Sequence, residues 1–314
     1  MIADAELAQW LDAVRREPET EPLLEELRAE RSRARGPEVD VVEDSFVEAE
    51  VRIPVRWYRH AGRTRPTVVF VHGGGFVFGD LDSHDRACRR LATLGDVDVV
   101  AVAYRLAPEH PAPAGVDDVI AVVQAILGEL PTTPLGLAGD SAGGLIAYLA
   151  AHRLVAHGTT VEGLLLLNPN ADLRLSRASI RTKAHGWGLS TTALHWFIEK
   201  WIPDERANAD VYSPLELPAA GMPATIVVTS EHDPLHDEGA ELAERLEVGG
   251  SLVAHHDLPG MVHGFINLDT VSPSARQAGD RILMEFGRHL GTSPGRTAAA
   301  ARIDSEGERR LHSR

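Results

Sequence analysis

The chain has 314 residues, of which 44% are hydrophobic and 25% charged, an ordinary globular composition long enough for one large α/β domain with additions. Its formal net charge of -15 disfavours a nucleic-acid or anionic-membrane surface, since both need clustered Lys and Arg. The single cysteine, Cys88, excludes an intramolecular disulfide and a multi-cysteine zinc site, and in S-H-D-R-A-C-R-R-L-A it reads as a buried thiol on a helix. No run approaches about 18 uninterrupted apolar residues, and the start M-I-A-D-A-E-L-A-Q-W lacks the basic and apolar regions of a secretory signal, so a cytoplasmic location is expected.

Residues 3–30 predict two short amphipathic helices split by Pro18 and Pro22, with Leu7, Trp10, Leu11 and Val14 on one face that something must cover. Residues 31–40 are polar and contain Gly36-Pro37, which reads as a linker. From Val41 to Arg59 the alternation of Val51, Ile53, Val55 and Trp57 predicts two strands of an antiparallel edge. Thr67 to Val71 is a continuous apolar run, the mark of a strand buried on both faces, and it ends in His72-Gly73-Gly74-Gly75-Phe76. A helix is expected from about Ser83, which can cap it, to Leu94. The next strand spans Val97 to Tyr104, and the prolines that follow delay regular structure until a helix opens near Val116.

The rhythm of strand and helix continues through Leu135–Ala138, Ala142–Ala156, Gly163–Leu167, Ala224–Thr229, His236–Glu247 and Leu252–Asp257, with a last helix over Pro273–Leu290. Such alternation predicts a mostly parallel sheet covered on both faces, whose active site would lie at the carboxyl ends of the strands. Between Asp172 and Pro214 the rhythm stops. This insertion carries Trp187, Trp196, Phe197 and Trp201, and reads as a lid or binding element, although Leu194 to Trp201 also has ordinary helical packing periodicity. From Gly291 to Arg314 no apolar pattern is sustained, so a flexible tail is expected.

Chemistry concentrates at the strand ends. Gly139-Asp140-Ser141-Ala142-Gly143 fits G-x-S-x-G, in which a serine sits on a sharp strand-to-helix turn with its hydroxyl exposed. A neutral serine needs a base, and the base needs a group to fix its tautomer. Of fifteen histidines, His263 lies just past the last strand in P-G-M-V-H-G-F, whereas His255 and His256 lie within that strand. For the acid, Asp233 follows its strand most closely and precedes a proline. Asp237 and Glu238 fall in the first helical turn, where the helix dipole favours carboxylates without any catalytic purpose. Glu231-His232-Asp233 contains metal-ligand residue types, but no further cluster completes a site. His72 to Gly75 offers backbone N–H groups for an oxyanion together with the amide of Ala142. A phosphate cradle is the other use of such a loop, and here it lacks both G-x-G-x-x-G before a helix and a Walker lysine.

Five segments together resemble the hormone-sensitive-lipase family of α/β-hydrolase esterases, the bacterial family IV carboxylesterases: H-G-G-G-F-V-F-G-D-L-D-S-H-D (72–85), Y-R-L-A-P-E-H-P-A-P-A (104–114), G-D-S-A-G-G (139–144), D-P-L-H-D-E-G (233–239) and M-V-H-G-F (261–265). The resemblance covers roughly residues 40–290. It implies an α/β-hydrolase fold with a mostly parallel eight-stranded sheet, a core over 41–171 and 213–290, and a helical cap from residues 1–40 and 172–212. It also implies Ser141 as nucleophile, His263 as base, Asp233 as orienting acid, and the amides of Gly74, Gly75 and Ala142 as oxyanion donors. No cofactor is implied. Cap residues such as Trp187 and Trp196 would set pocket depth, and a homodimer through the sheet edge would be in keeping with the family.

Two positions depart from the family pattern: Leu145, where many relatives have Asn, and Asn168, where an apolar or aromatic residue commonly precedes the proline. The expected activity is hydrolysis of short-chain acyl esters without nucleic-acid or membrane partners. An acetylhydrolase of a natural product would use the same machinery, and a ligand-binding protein on the same fold would keep the cap but not need His263.

Overall fold

The computed structural model describes residues 1–17, 20–29, 35–202, 204, 209 and 211–293. Pro18, residues 31–34 of the expected linker and residues 294–314 of the expected tail therefore lie outside the described residues. Eight strands, β1 (Val41–Glu48), β2 (Arg52–Arg59), β3 (Thr67–Val71), β4 (Asp98–Val102), β5 (Leu135–Asp140), β6 (Gly163–Leu167), β7 (Thr225–His232) and β8 (Leu252–Val262), form one sheet in the order β1-β2-β4-β3-β5-β6-β7-β8. All neighbours from β4 to β8 pair in parallel, and β2 alone runs against both of its neighbours. Helices bounded by described residues include α1 (Ala5–Val14), α2 (Leu24–Ala29), α3 (Asp85–Gly95), α4 (Ala114–Glu129), α5 (Ala142–Ala156), α6 (Ala178–Thr182), α7 (Thr191–Trp201), α8 (His236–Val248) and α9 (Pro273–Thr292).

Central strands β3, β5 and β6 are buried at every position, which is why they lack the polar alternation of a half-exposed strand, while edge strand β1 is exposed along most of its length. One face of the sheet packs on α3 and α9 through Cys88, Leu91, Ile282, Leu283 and Phe286; the other packs on α4, α5 and α8. Helices α3 and α9 come so close that a Cβ on Gly287 would meet the Gly95 carbonyl oxygen at 2.0 Å. Cys88 is fully buried, as expected, and burial pushes its thiol pKa up.

The apolar face of α1 has its cover. Asp4 caps the helix by accepting from the Leu7 amide at 2.8 Å. Leu7 and Leu11 are fully buried in the cluster that includes Leu258, Met261 and Phe265, each burial contributing about 1.5–3 kcal/mol. The Ala3 amide also donates to the Gly260 carbonyl at 3.1 Å, joining the start of the chain to β8.

Strands β5 and β7 run to Asp140 and His232, past the expected ends, and β4 stops at Val102; two further differences have identifiable causes. Ser83 does not cap α3, which begins after His84. Its Oγ is held by the Asp80 amide at 2.9 Å and donates to the Asp80 carbonyl at 2.8 Å, closing a turn before the helix. Strand β8 runs five residues beyond Asp257, because Pro259-Gly260 makes a bulge rather than a stop. Gly260 takes φ +70°, its amide donates to Glu231 Oε2 at 2.6 Å, and pairing resumes between His232 and Val262. That extension carries the chain to His263 at the end of the sheet where β5 and β7 also end.

Candidate active site

Ser141 occupies the turn between β5 and α5 with φ 53° and ψ −125°, a backbone conformation a residue with a side chain adopts only where the surroundings impose it. They do so on every side. The Ser141 amide donates to the Leu167 carbonyl at 2.8 Å, and its carbonyl accepts from Leu145 at 3.2 Å. A Cβ on Gly143 would lie 2.2 Å from the Val71 carbonyl oxygen, and one on Gly139 would lie 2.3 Å from that of Gly143. These two glycines let β3, β5 and α5 approach closely enough to hold the turn.

The three side chains proposed from sequence come together from three strand ends. His263 Nε2 is 2.9 Å from Ser141 Oγ, and His263 Nδ1 is 2.8 Å from Asp233 Oδ2. Asp233 is fully buried, and its other oxygen accepts from the Leu235 amide at 2.9 Å, so the proline turn that follows fixes the carboxylate. Burial by itself would lower the His263 pKa. The Asp233 carboxylate, through its charge and its hydrogen bond and with Asp140 behind it, more than offsets that, and the pKa is raised above the ordinary histidine value.

Gly74 and Gly75 follow β3 with φ +123° and +54°. The Gly74 carbonyl is turned inward, accepting from Val77 at 3.1 Å and Phe78 at 3.0 Å. Among the described residues, the amides of Gly74, Gly75 and Ala142 donate to no backbone carbonyl outside their own helix or strand. The segment after β4 supports this loop. Tyr104 stacks on His72 with ring centroids 4.4 Å apart, and its hydroxyl donates to the His72 carbonyl at 3.0 Å. Burial lowers the His72 pKa to about 4, so the ring is neutral at pH 7.

Other residues near the site have roles that the sequence reading did not assign. Glu238, read there as a first-turn carboxylate favoured by the helix dipole, is fully buried, and its Oε1 accepts from the amides of Ala171 at 2.7 Å and Asp172 at 3.2 Å. Burial raises its pKa well above the usual carboxylate range. It ties the chain leaving β6, where the insertion begins, to the helix after Asp233. The available signal was the run Asn168–Asp172, which leaves a buried strand and whose Ala171 and Asp172 amides need an acceptor from elsewhere in the chain.

Helix α7 of the insertion seats directly on the glycine loop. A Cβ on Gly75 would fall 2.4 Å from Phe197 Cγ, and Trp201 stacks on Phe76 at 4.1 Å. Among the described residues, Phe197 and Trp201 of the insertion lie against the loop, rather than Trp187. Trp187 stacks at 4.3 Å on His232, next to Asp233, and Arg15 of the N-terminal segment lies 4.8 Å from the centre of the Trp187 ring. A cleft of about 580 Å³ opens along this seam between Arg15 and Glu17 on one side and His185, Trp187 and Ser190 on the other.

Of the departures, Leu145 is fully buried in the apolar cluster behind the serine turn. Asn168 is buried, takes φ 45°, and its Nδ2 donates to Ser230 Oγ at 3.0 Å, bridging the ends of β6 and β7. Asn168 finds its side-chain partner in Ser230, and Leu145 meets Ser141 through its backbone amide, as a first-turn helix residue does. Among the described residues, no helix is long and apolar enough to cross a membrane.

A family model described as the alpha/beta hydrolase fold matches residues 68–267. The chain is 36% identical over 280 residues to the carboxylesterase NlhH of Mycobacterium tuberculosis, covering 85% of each chain. It is 31% identical over 251 residues to an ethyl acetate hydrolase of Pseudomonas putida, covering 76% of this chain and 79% of the relative. It is also 31% identical over 229 residues to an acetyl-hydrolase of Streptomyces hygroscopicus, covering 71% and 75%. The hyperthermophilic esterase of the archaeon Pyrobaculum calidifontis superposes with a TM-score of 0.83 at 29% identity, over 92% of this chain and 99% of that one. The chain thus belongs to the α/β-hydrolase family, among its hormone-sensitive-lipase-like carboxylesterases, and is a carboxylic ester hydrolase.

Proposed function

We propose that this esterase cleaves short-chain acyl esters with Ser141 as nucleophile, His263 as base and Asp233 as the acid that orients it. The observation that carries the reading is the unbroken chain from Ser141 Oγ to His263 Nε2 at 2.9 Å and from His263 Nδ1 to Asp233 Oδ2 at 2.8 Å. Asp233 holds the Nδ1–H tautomer, which leaves Nε2 free to take the serine proton.

As Ser141 Oγ bonds to the carbonyl carbon, its proton passes to His263 Nε2 and the carbonyl oxygen becomes an anion. The amides of Gly74, Gly75 and Ala142 donate to that anion, and each such donor is worth about 2.7–4 kcal/mol. Collapse of the intermediate breaks the ester C–O bond, and the leaving alcohol takes the proton back from His263. Water then adds to the acyl-enzyme, passing its proton to His263, and the second collapse releases the acid and restores Ser141.

Support for a short acyl group comes from Phe197 and Trp196, whose rings pack edge to face at 5.6 Å, with Phe197 against Gly75. A ring seated on Gly75 would bound the space beside a carbonyl held by the loop. The ethyl acetate hydrolase and acetyl-hydrolase among the relatives point the same way. The latter also favours a second reading, removal of an acetyl group from a larger natural product by the same machinery. A cytoplasmic homodimer belongs to the same proposal, and cell fractionation with sedimentation tests it.

Ser141→Ala should lower turnover of p-nitrophenyl acetate by at least about 10⁴-fold and abolish fluorophosphonate labelling, with an unchanged circular dichroism spectrum. Retained turnover would overturn the assignment. A panel of acetyl to decanoyl esters, with acetylated alcohols of increasing size, separates the two substrate readings.

A further inference from the structure

Asp140 stands immediately before Ser141, yet takes no part in the steps above. The strand that leads to it, Leu135 to Gly139, is wholly buried, and Asp140 itself is only 4% exposed. A carboxylate so placed must find donors or lose its charge. It finds two, both on the segment that carries the glycine loop. Asp140 Oδ1 accepts from the Gly73 amide at 2.9 Å, and His84 Nε2 lies 3.2 Å from Oδ1 and 3.3 Å from Oδ2. The fit leaves no slack, since a Cβ on Gly73 would meet Asp140 Oδ2 at 2.6 Å.

His84 is buried where that segment ends against α3. Its Nδ1 is 2.9 Å from Ser83 Oγ, and its ring stacks on His72 at 5.8 Å. The side-chain amide of Asn267, in the short turn after His263, lies 3.1 Å from His84 Nε2. One carboxylate therefore joins the serine turn to the loop bearing Gly74 and Gly75.

An oxyanion hole stabilises a transition state only if its donors are fixed before the charge develops. Gly74 and Gly75 have no side chains to fix them, and glycine backbones are the most mobile in the chain. A charge-assisted bond to the residue preceding Gly74, from a carboxylate adjacent in sequence to the nucleophile, makes the loop follow the serine turn as one unit. We propose that Asp140 and His84 form a positioning pair that holds the glycine loop in register with Ser141. This rests on the assignment of Ser141, Gly74 and Gly75 made above.

A consequence reaches the base. The charged and titratable groups around His263 are Asp233 from the end of β7 and Asp140 from the end of β5; around Asp140 they are His84, His72, Tyr104 and His263. Burial pushes the Asp140 pKa up, but the charge and hydrogen bond of His84 and the Gly73 amide more than compensate, so it remains an anion. Its negative charge helps hold a proton on His263.

The test is Asp140→Asn in the full chain, which keeps the shape and an acceptor for Gly73 but removes the charge. With p-nitrophenyl acetate, kcat should fall about 10- to 100-fold while KM stays within about threefold, the pattern of an interaction made in the transition state. The acid limb of kcat/KM should move to lower pH, which a purely structural role would not produce. His84→Ala should lower kcat similarly, and His84→Gln, which offers a donor to Asp140, should recover most of it.

An Asp140→Asn enzyme with kcat within about twofold of the parent and an unmoved acid limb overturns the pairing. If that variant does not fold by circular dichroism, the His84 variants decide, and parental kcat in His84→Ala overturns it. Activity retained by Ser141→Ala would instead sink the parent assignment, so the two failures are distinguishable.

Discussion

Gly75→Ala tests whether the glycine loop is the oxyanion hole and whether the insertion sets it. The added methyl meets Phe197 Cγ, Cδ2 and Cδ1 at 2.4, 2.6 and 2.7 Å, so ring or loop must move by about 1 Å to reach ordinary contact. Overpacking of this kind costs about 1–3 kcal/mol, and holding Ala at φ +54° adds about 1–2 kcal/mol. Phe197 cannot swing away freely, being wedged between Trp196 at 5.6 Å and Phe78 at 6.0 Å. The loop yields instead, and withdrawal of one donor lowers kcat about 10²- to 10³-fold.

Removing the ring separates the two costs. In a Phe197→Ala background the same Gly75→Ala change should lower kcat by only about tenfold, because the backbone cost remains and the steric one is gone. The assay is a double-mutant cycle on kcat with p-nitrophenyl acetate, each protein checked by thermal unfolding. Equal losses in both backgrounds would refute the steric argument, and no loss in either would remove Gly75 from the oxyanion hole.

Other perturbations should behave as follows. Because the His263 pKa is raised, kcat/KM should fall as pH drops through it; Asp233→Asn should cut kcat by about 10⁴-fold and move any residual acid limb to lower pH, as stopped pH profiles would show. Gly143→Ala places a methyl 2.2 Å from the Val71 oxygen and 2.4 Å from the His72 oxygen, both backbone, and should prevent folding, read as loss of the cooperative thermal transition. Gly128→Ala, in α4 with nothing within 4 Å, should add about 0.5–1 kcal/mol in denaturant titration and leave kcat unchanged. Trp187→Ala removes the stack on His232 and the contact with Arg15, worth about 0.5–1.5 kcal/mol, and should raise KM several-fold with little change in kcat.

How far the sequence leads depends on whether a residue's partners are near it in the chain. The buried strands were legible because both faces are covered and the apolar run has no alternation to misread. The convergence of Ser141, Asp233 and His263 was legible because each follows a strand at the carboxyl end of the sheet. Glu238 was not, since its partners, the amides of Ala171 and Asp172, are supplied by a segment more than sixty residues away. Nor was the end of β8: Pro259-Gly260 is sound turn chemistry, overridden here by the acceptor Glu231 provides. Phe197 was hidden for another reason, because apolar spacing on α7 says that a face is buried but not against what.

The two halves of the enzyme are built under different constraints. Ser141 is strained in its backbone, and the strain is carried by contacts of the core: Leu167, Leu145, and the close passage of β3 permitted by Gly143. The insertion bears on the same site through a few rings, chiefly Phe197 on Gly75 and Trp201 on Phe76. A ring on a helix can change size by one substitution without disturbing the sheet, whereas a change at Gly139 or Gly143 meets backbone atoms that cannot yield. On the proposed mechanism, selectivity can therefore drift through α7 while Ser141 stays fixed. Gly75 is where this separation fails, since the residue proposed to donate to the oxyanion is also the seat of Phe197, the residue proposed to bound the acyl group.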